Sequence, residues 1–197
     1  MGIYEFAGCV VSYEPLYGLL RRRMETYRSD TERQPDITLD GTKEDYEKLR
    51  KQYPHLSIEE CEYSCAGAEF YMKLLKHQGF MIHASAVEKE GKAYLFSAPS
   101  GTGKSTHAQL WRQTFKGEPI RIINDDKPAV CLQNGVFYAC GTPFSGKTDK
   151  NENRKAPIQG LCMLHRGKTN KIQKITSGEA LPLILPQTLF YGDEEET

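Results

Sequence analysis

The hydrophobic and polar positions of this chain change period several times, and the changes mark out its elements. Residues 3–13 (IYEFAGCVVSY) carry the β-branched and aromatic run of a strand. A helix is predicted from Pro15 through Arg23. Residues 29–41 are polar, are broken by Pro35 and Gly41, and read as a loop around a short strand at Ile37–Leu39. Thr42 stands where it can cap a helix running to about Gln52, which Pro54 stops. Between Ala66 and Gln78, Phe70, Leu74 and His77 recur at helical spacing, and Gly79 supplies the C-terminal stop.

Beyond that helix the pattern becomes strand-like. MIHASAVE (81–88) and AYLFS (93–97) flank the polar KEGK and predict a β-hairpin. A glycine-rich run, APSGTGKST, leads into a helix over HAQLWRQTF. PIRIIN (119–124) is a strand that ends at Asp125 and Asp126. PAVCLQ and VFYAC flank Asn134-Gly135, the strongest short hairpin signal in the chain. Residues 141–157 read as a long loop. GLCMLHR (160–166) and KIQKIT (171–176) predict one more hairpin across Gly167–Asn170, with a proline-punctuated helix from Ser177. Hairpins on both sides of the glycine run point to an α/β (α+β) fold with a mixed, largely antiparallel sheet and flanking helices. Strict alternation of strand and helix would instead give a parallel sheet. Residues 1–66 read as an N-terminal strand and helix extension packed on a core of residues 67–197.

Composition narrows the function classes. Of 197 residues, 26 are Lys or Arg and 26 Asp or Glu, so the net charge is zero and neither nucleic acid nor a membrane surface is an expected partner. With 39% hydrophobic residues the chain is globular rather than disordered. The N-terminus, MGIYEFAGCV, lacks the basic region and apolar run of an export signal, and no apolar run is long enough to span a membrane. The expected location is cytoplasmic, with the six cysteines as reduced thiols. Cys61 and Cys65 have no matching His/Cys pair at zinc-finger spacing, so zinc is not expected.

The sharpest chemical signal is Ala98-Pro-Ser-Gly-Thr-Gly-Lys-Ser105, a phosphate loop with alanine in place of its first glycine. Backbone N–H groups of Ser100, Gly101, Thr102 and Gly103, continuing to Thr106, would wrap phosphate oxygens. Lys104 would reach the β and γ positions, and the Ser105 hydroxyl would ligate Mg²⁺. The positive dipole end of the following helix points at the same phosphates. Downstream, a carboxylate at the end of an apolar strand is where such proteins hold Mg²⁺, and the Asp125-Asp126 pair could divide metal binding from proton acceptance. Both can reach one site only if the strand ends or bulges there. His83 lies 21 residues before Lys104, and hairpin pairing carries it toward the loop. In residues 141–157, Lys147 and Arg154 are the candidates for contacting a phosphoryl substrate if this segment closes as a lid. Trp111 and Phe115 read as core, and His107 as an exposed helix residue.

His83-Ala-Ser, the phosphate loop and Asp125-Asp126, in that order and at that spacing, resemble the catalytic core of HPr kinase/phosphorylase. The match is closer to the shorter HPr-kinase-like proteins of peptide-modification gene clusters, and covers about residues 79–187. The resemblance implies a phosphoenolpyruvate-carboxykinase-like architecture and an ATP- (or GTP-) and Mg²⁺-dependent kinase acting on a hydroxyl. The acceptor would be Ser or Thr of a peptide or protein, or a small molecule. It also implies Asp125 as proton acceptor, Asp126 and Ser105 as Mg²⁺ ligands, His83 as a neighbour of Asp125, and a homo-oligomer. Two departures stand out. The family's Glu-Ile-Arg-Gly stretch is replaced by Gly141-Thr-Pro-Phe-Ser-Gly-Lys147, which has no carboxylate, and the first 66 or so residues do not match. HPr itself is therefore not the expected substrate. A nucleotide-binding regulatory or scaffold protein without phosphoryl transfer is the competing reading, with carboxykinase-like chemistry on a small acid a third.

Overall fold

Turn chemistry decides the first element. In the computed structural model, which describes residues 1–115 and 117–189, Ala7 and Gly8 both take positive φ (53° and 80°). That backbone matches the right-handed twist of paired strands. Residues 3–13 therefore fold back on themselves as a hairpin, β1 (Gly2–Phe6) and β2 (Cys9–Tyr13), where a single strand was expected. A short β3 (Ile37–Thr38) adds to β2 in parallel. The first helix, α1, spans Gly18–Met24, and α2 spans Lys43–Gln52 behind a capping box formed by Thr42 and Asp45.

The next helix, α3 (Ile58–Leu74), begins two turns before the expected Ala66, at a second capping box made by Ser57 and Glu60. Glu62 obscures its apolar periodicity, because this carboxylate is fully buried. It accepts hydrogen bonds from the Leu16 and Tyr17 N–H groups and from the Tyr13 hydroxyl, which tie α3 to the segment ahead of α1. Burial raises the Glu62 pKa, against the opposing effect of those donors.

The main sheet has seven strands: β4 (Gly79–Met81), β5 (Ala84–Lys89), β6 (Lys92–Ser97), β7 (Arg121–Asn124), β8 (Ala129–Gln133), β9 (Val136–Cys140) and β10 (Lys155–Met163). Their order is β4-β8-β9-β10-β6-β5-β7, and every neighbouring pair is antiparallel except β10 with β6. The mixed, largely antiparallel sheet expected from the hairpins is present. The hairpin expected from residues 160–166 and 171–176 is not. Residues 160–163 finish β10, which pairs in parallel with β6, and residues 171–176 form no strand.

The sheet curls until its two ends meet. β4 and β5 belong to one stretch of chain, β7 and β8 to another, and these stretches pair twice, as β4–β8 and β5–β7. Between the two ladders the pairing is interrupted at Ile82-His83 opposite Asp125–Pro128. It is carried only by the Ile82 N–H on the Pro128 carbonyl (3.3 Å) and the Ala84 N–H on the Asp126 carbonyl (3.1 Å). Two further helices complete the fold, α4 (Lys104–Thr114) after β6 and α5 (Ser177–Ile184) near the end of the described chain. No helix among the described residues is long and apolar enough to cross a membrane.

One apolar cluster spans the N-terminal elements and the main sheet, joining Phe6, Leu20, Met24 and Tyr27 to Phe70, Tyr71, Cys131, Cys140 and Phe144. The division drawn at residue 66 falls inside α3, and residues 190–197 of the expected core lie outside the described residues. Phe144 packs against Tyr63, Phe70 and Tyr71 with ring centroids 5.7–5.8 Å apart. A Cβ on Gly67 would stand 3.0 Å from its ring. Phe144→Ala should therefore destabilise the chain by about 3–5 kcal/mol, read as a lower urea midpoint. A change below about 1 kcal/mol would mean that the N-terminal elements do not depend on this contact.

Candidate functional site

The break between the two ladders holds the chemistry. β7 ends at Asn124, which is fully buried and works as a local hinge pin. Its carbonyl Oδ1 accepts from the backbone N–H groups of Asp126 (3.0 Å) and Lys127 (2.8 Å), and its amide donates to the Thr142 carbonyl and hydroxyl. This turn ends the alternation of the strand, so adjacent Asp125 and Asp126 need not point to opposite faces.

Asp125 is buried, at 3% exposure, and each carboxylate oxygen accepts from a hydroxyl. Ser85 donates to Oδ1 at 2.8 Å and Thr148 to Oδ2 at 3.0 Å. Asp126 is more open. Its Oδ1 lies 3.4 Å from His83 Nε2 and its Oδ2 3.8 Å from Lys127 Nζ. Burial would raise the Asp126 pKa, but the contact with His83 and the charges of Lys127 and Lys104 outweigh it and hold the carboxyl below its usual value. His83 therefore touches Asp126, while Ser85, two residues along, touches Asp125, so both carboxylates face the start of β5. On its other side, His83 Nδ1 lies 3.3 Å from Gln187 Oε1, so the ring is held between the two.

The glycine-rich loop follows β6, whose last residue, Ser97, donates its hydroxyl to the His83 carbonyl at 2.8 Å. Gly101 and Gly103 take φ of 76° and 114°, values that side chains strain to adopt, and this turns the loop into α4. Capping boxes close the first turns of α2, α3 and α5, whereas neither α1 nor α4 has a capping N-cap side chain. In α1, Glu59 accepts from the Gly18 N–H instead; among the described residues no side chain does so for α4. Its first backbone donors are thus left for another acceptor. Lys104 is buried and curls back to donate to the Ala98 (2.8 Å) and Pro99 (3.4 Å) carbonyls. Burial lowers its pKa, while Asp126 and then Asp125 pull the other way, so lysine and carboxylates share one local field. Ser105 is half-buried in the first turn of α4, and Ser100 and Thr106 are exposed.

A cleft of about 450 Å³ opens beside the loop, lined by Gly101–Gly103, Thr106, His107, Leu110 and Leu164–Arg166. Arg166 donates to the Gly101 carbonyl at 2.5 Å. His107 is not the exposed residue expected from its helix position. Its ring packs edge-on to Phe96, 4.4 Å between centroids, and faces this cleft. Burial lowers its pKa below the ordinary 6.5. The folded chain thus binds fewer protons here than the unfolded chain, so this contribution to stability is lost as pH falls below about 6.5. An NMR titration should place the His107 midpoint below that of a free histidine, and an unshifted midpoint would contradict its burial. Trp111 packs with Tyr94 and Phe96 against the core, as read from the sequence, whereas Phe115 touches Trp111 edge-on and lies outside that cluster, under the Lys89 ammonium.

Of the two basic candidates in the downstream loop, neither lies on the carboxylates. Arg154 makes a two-pronged pair with Glu88 (2.8 and 2.9 Å), toward the Glu90-Gly91 end of β5 and away from the phosphate loop. Lys147 is exposed on a single 3-10 turn, Gly146–Thr148, where its charge bears on Glu60. The loop itself does reach the site. A Cβ on Gly146 would stand 2.7 Å from Asp126 Oδ2, so only glycine lets the turn lie this close. Asn124, Thr148 and Gln187 were not picked out from the sequence, and Ser85 entered only as the third residue of the His83-Ala-Ser motif, with no role of its own. Ser85 had a signal, since it stands two residues from His83, the spacing of one strand face. Thr148 and Gln187 had none.

No protein-family model matches this chain, and no curated protein is similar to it. Among the described residues no group of three or more His, Cys, Asp or Glu side chains stands ready to hold a metal ion.

Proposed function

We propose that this chain is a Mg²⁺- and ATP-dependent kinase (GTP being the alternative donor) that transfers a γ-phosphoryl group to a hydroxyl. The observation that carries this reading is geometric: the loop holding buried Lys104 leaves β6 at Ser97, whose hydroxyl bonds the His83 carbonyl, and His83 in turn touches Asp126 at the break in the sheet. The HPr-kinase-like order of His83, loop and paired aspartates supports it. The uncapped start of α4 would receive the phosphates, with Lys104 turning from its own loop's carbonyls toward them. The adjoining cleft, with Leu110 and Leu164 as apolar walls and His107 and Arg166 as polar groups, suits the nucleoside.

Asp126 and Ser105 suit Mg²⁺. The aspartate is held ionised and partly open, and this ion is commonly bound by one or two protein groups together with phosphate oxygens. Mg²⁺ there would neutralise charge on the β and γ oxygens. His83 and Gln187 would keep Asp126 oriented. Asp125, fixed by Ser85 on one oxygen and holding a hydroxyl on the other, has the geometry of a group that accepts a hydroxyl proton. The acceptor would be a serine or threonine of a peptide or protein, or a hydroxylated small molecule, met in the cytoplasm by a homo-oligomer.

A nucleotide-binding scaffold without transfer is the second reading, favoured by the lack of a carboxylate in residues 141–147 and by the cover that Thr148 puts on Asp125. Calorimetry of ATP and GTP with and without Mg²⁺, followed by a phosphoryl-transfer screen on serine-containing peptides and small hydroxyl compounds, separates the two. Metal-dependent binding with transfer supports the kinase; binding with neither transfer nor turnover supports the scaffold.

A further inference from the structure

Thr148 is exposed on its 3-10 turn, yet its hydroxyl is directed inward onto the carboxylate assigned above as proton acceptor, 3.0 Å from Asp125 Oδ2. That is the distance and the direction of donation an acceptor hydroxyl needs in order to lose its proton. We propose that Thr148 is itself a phosphoryl acceptor, modified by the chain's own site; the proposal rests on the kinase reading.

The placement of this hydroxyl is over-determined by the rest of the molecule. Arg23 of α1 donates to the Gly146 carbonyl at 2.8 Å, and its Nε stands 3.1 Å from Asp149 Oδ1. The Tyr63 hydroxyl of α3 accepts from the Gly146 N–H at 3.0 Å. Beyond the turn, the Asp125 N–H donates to the Lys150 carbonyl, and Asn151 donates to Ser145 at 2.8 Å while accepting from Tyr27. The turn is thus held on both sides of Thr148, partly by the N-terminal elements, with its hydroxyl on the carboxylate. Lys147 and Lys150, both exposed, flank it and would pair with the charge of a phosphothreonine.

In the step, Thr148 Oγ1 attacks the γ-phosphorus of a nucleoside triphosphate. The Oγ1–P bond forms as the bond from phosphorus to the bridging β–γ oxygen breaks. That electron pair leaves with the nucleoside diphosphate, and the hydroxyl proton goes to Asp125 Oδ2. Each chain gains one phosphoryl group and releases one nucleoside diphosphate.

The test uses the full chain, treated with phosphatase and then incubated with Mg²⁺ and ATP, with nucleotide binding measured by calorimetry on the same preparations. Intact and fragment mass spectrometry should find a single phosphoryl group on residue 148 in the wild type and in Thr148→Ser. It should find none in Thr148→Val, which keeps its nucleotide binding, or in Lys104→Ala. The rate should be independent of protein concentration, because hydroxyl and carboxylate lie in one chain. A wild type that binds Mg²⁺-ATP and phosphorylates an added hydroxyl compound, yet leaves residue 148 unmodified, overturns the inference and leaves the kinase reading standing. Phosphate found at another residue in both wild type and Thr148→Val overturns it as well. Failure of the wild type to bind nucleotide overturns both.

Discussion

Replacing Lys104 by alanine should weaken Mg²⁺-dependent nucleotide binding on the order of 100-fold. Removing one partner of a buried, hydrogen-bonded charge pair costs about 2–5 kcal/mol, and each ~1.4 kcal/mol is a factor of ten in affinity. Lys104 is suited to such a role because it is buried and donates to two carbonyls of its own loop. The substitution removes no contact between α4 and the sheet. Trp111 still packs on Tyr94 and Phe96, so the melting temperature should change little. Calorimetry on wild type and variant gives the answer directly. A loss of no more than about threefold, under 1 kcal/mol, would remove Lys104 from the phosphate site and with it the basis of the kinase reading.

Asp125→Asn should lower phosphoryl transfer by about 10³-fold while leaving Mg²⁺-nucleotide affinity within about twofold, because a positioned general base contributes roughly 10²–10⁴-fold. The asparagine keeps a carbonyl oxygen for the Ser85 hydroxyl, so the turn should hold its shape. Asp126→Asn should behave differently. Its carboxylate is the one held ionised near Lys104, so its loss should abolish the Mg²⁺-dependent part of nucleotide binding. Measuring binding and transfer on both variants separates the two roles. Retained metal-dependent binding with lost transfer in Asp126→Asn, and undisturbed transfer in Asp125→Asn, would exchange them. The His83 contact with Asp126 would then belong to the proton acceptor.

Much of the fold was legible wherever the signal was short-ranged. Thr42 caps α2 as its spacing implied, and Asn134-Gly135 turns β8 into β9 with both residues at positive φ (51° and 78°). The glycine-rich loop stands between a strand and a helix, as read from the sequence. Misreadings arose where a local pattern had two solutions. Ala7-Gly8 looked like the middle of a strand because alanine rarely takes the conformation it has here, and only the packing of β1 on β2 enforces it. The start of α3 was missed because buried Glu62 reads as a polar interruption. Residues 160–163 looked like half of a hairpin, but β6 offered them a partner from nearly seventy residues earlier.

For this protein, the sequence by itself determined turns, helix caps, the glycine-rich loop between strand and helix, and the presence of a histidine and two aspartates at suggestive spacing. Each of these depends on residues within a few positions of one another. Tertiary structure decided how the groups meet. It joined the two ends of the sheet at His83 and Asp125–Pro128, set His83 on Asp126, buried Asp125 between two hydroxyls, and used Arg23, Tyr27 and Tyr63 to hold the loop that carries Thr148. Those outcomes rest on pairings between residues as far as 124 positions apart, as for Tyr27 and Asn151. No local pattern encodes them, because the free energy that selects them comes from closing the sheet and filling the shared core.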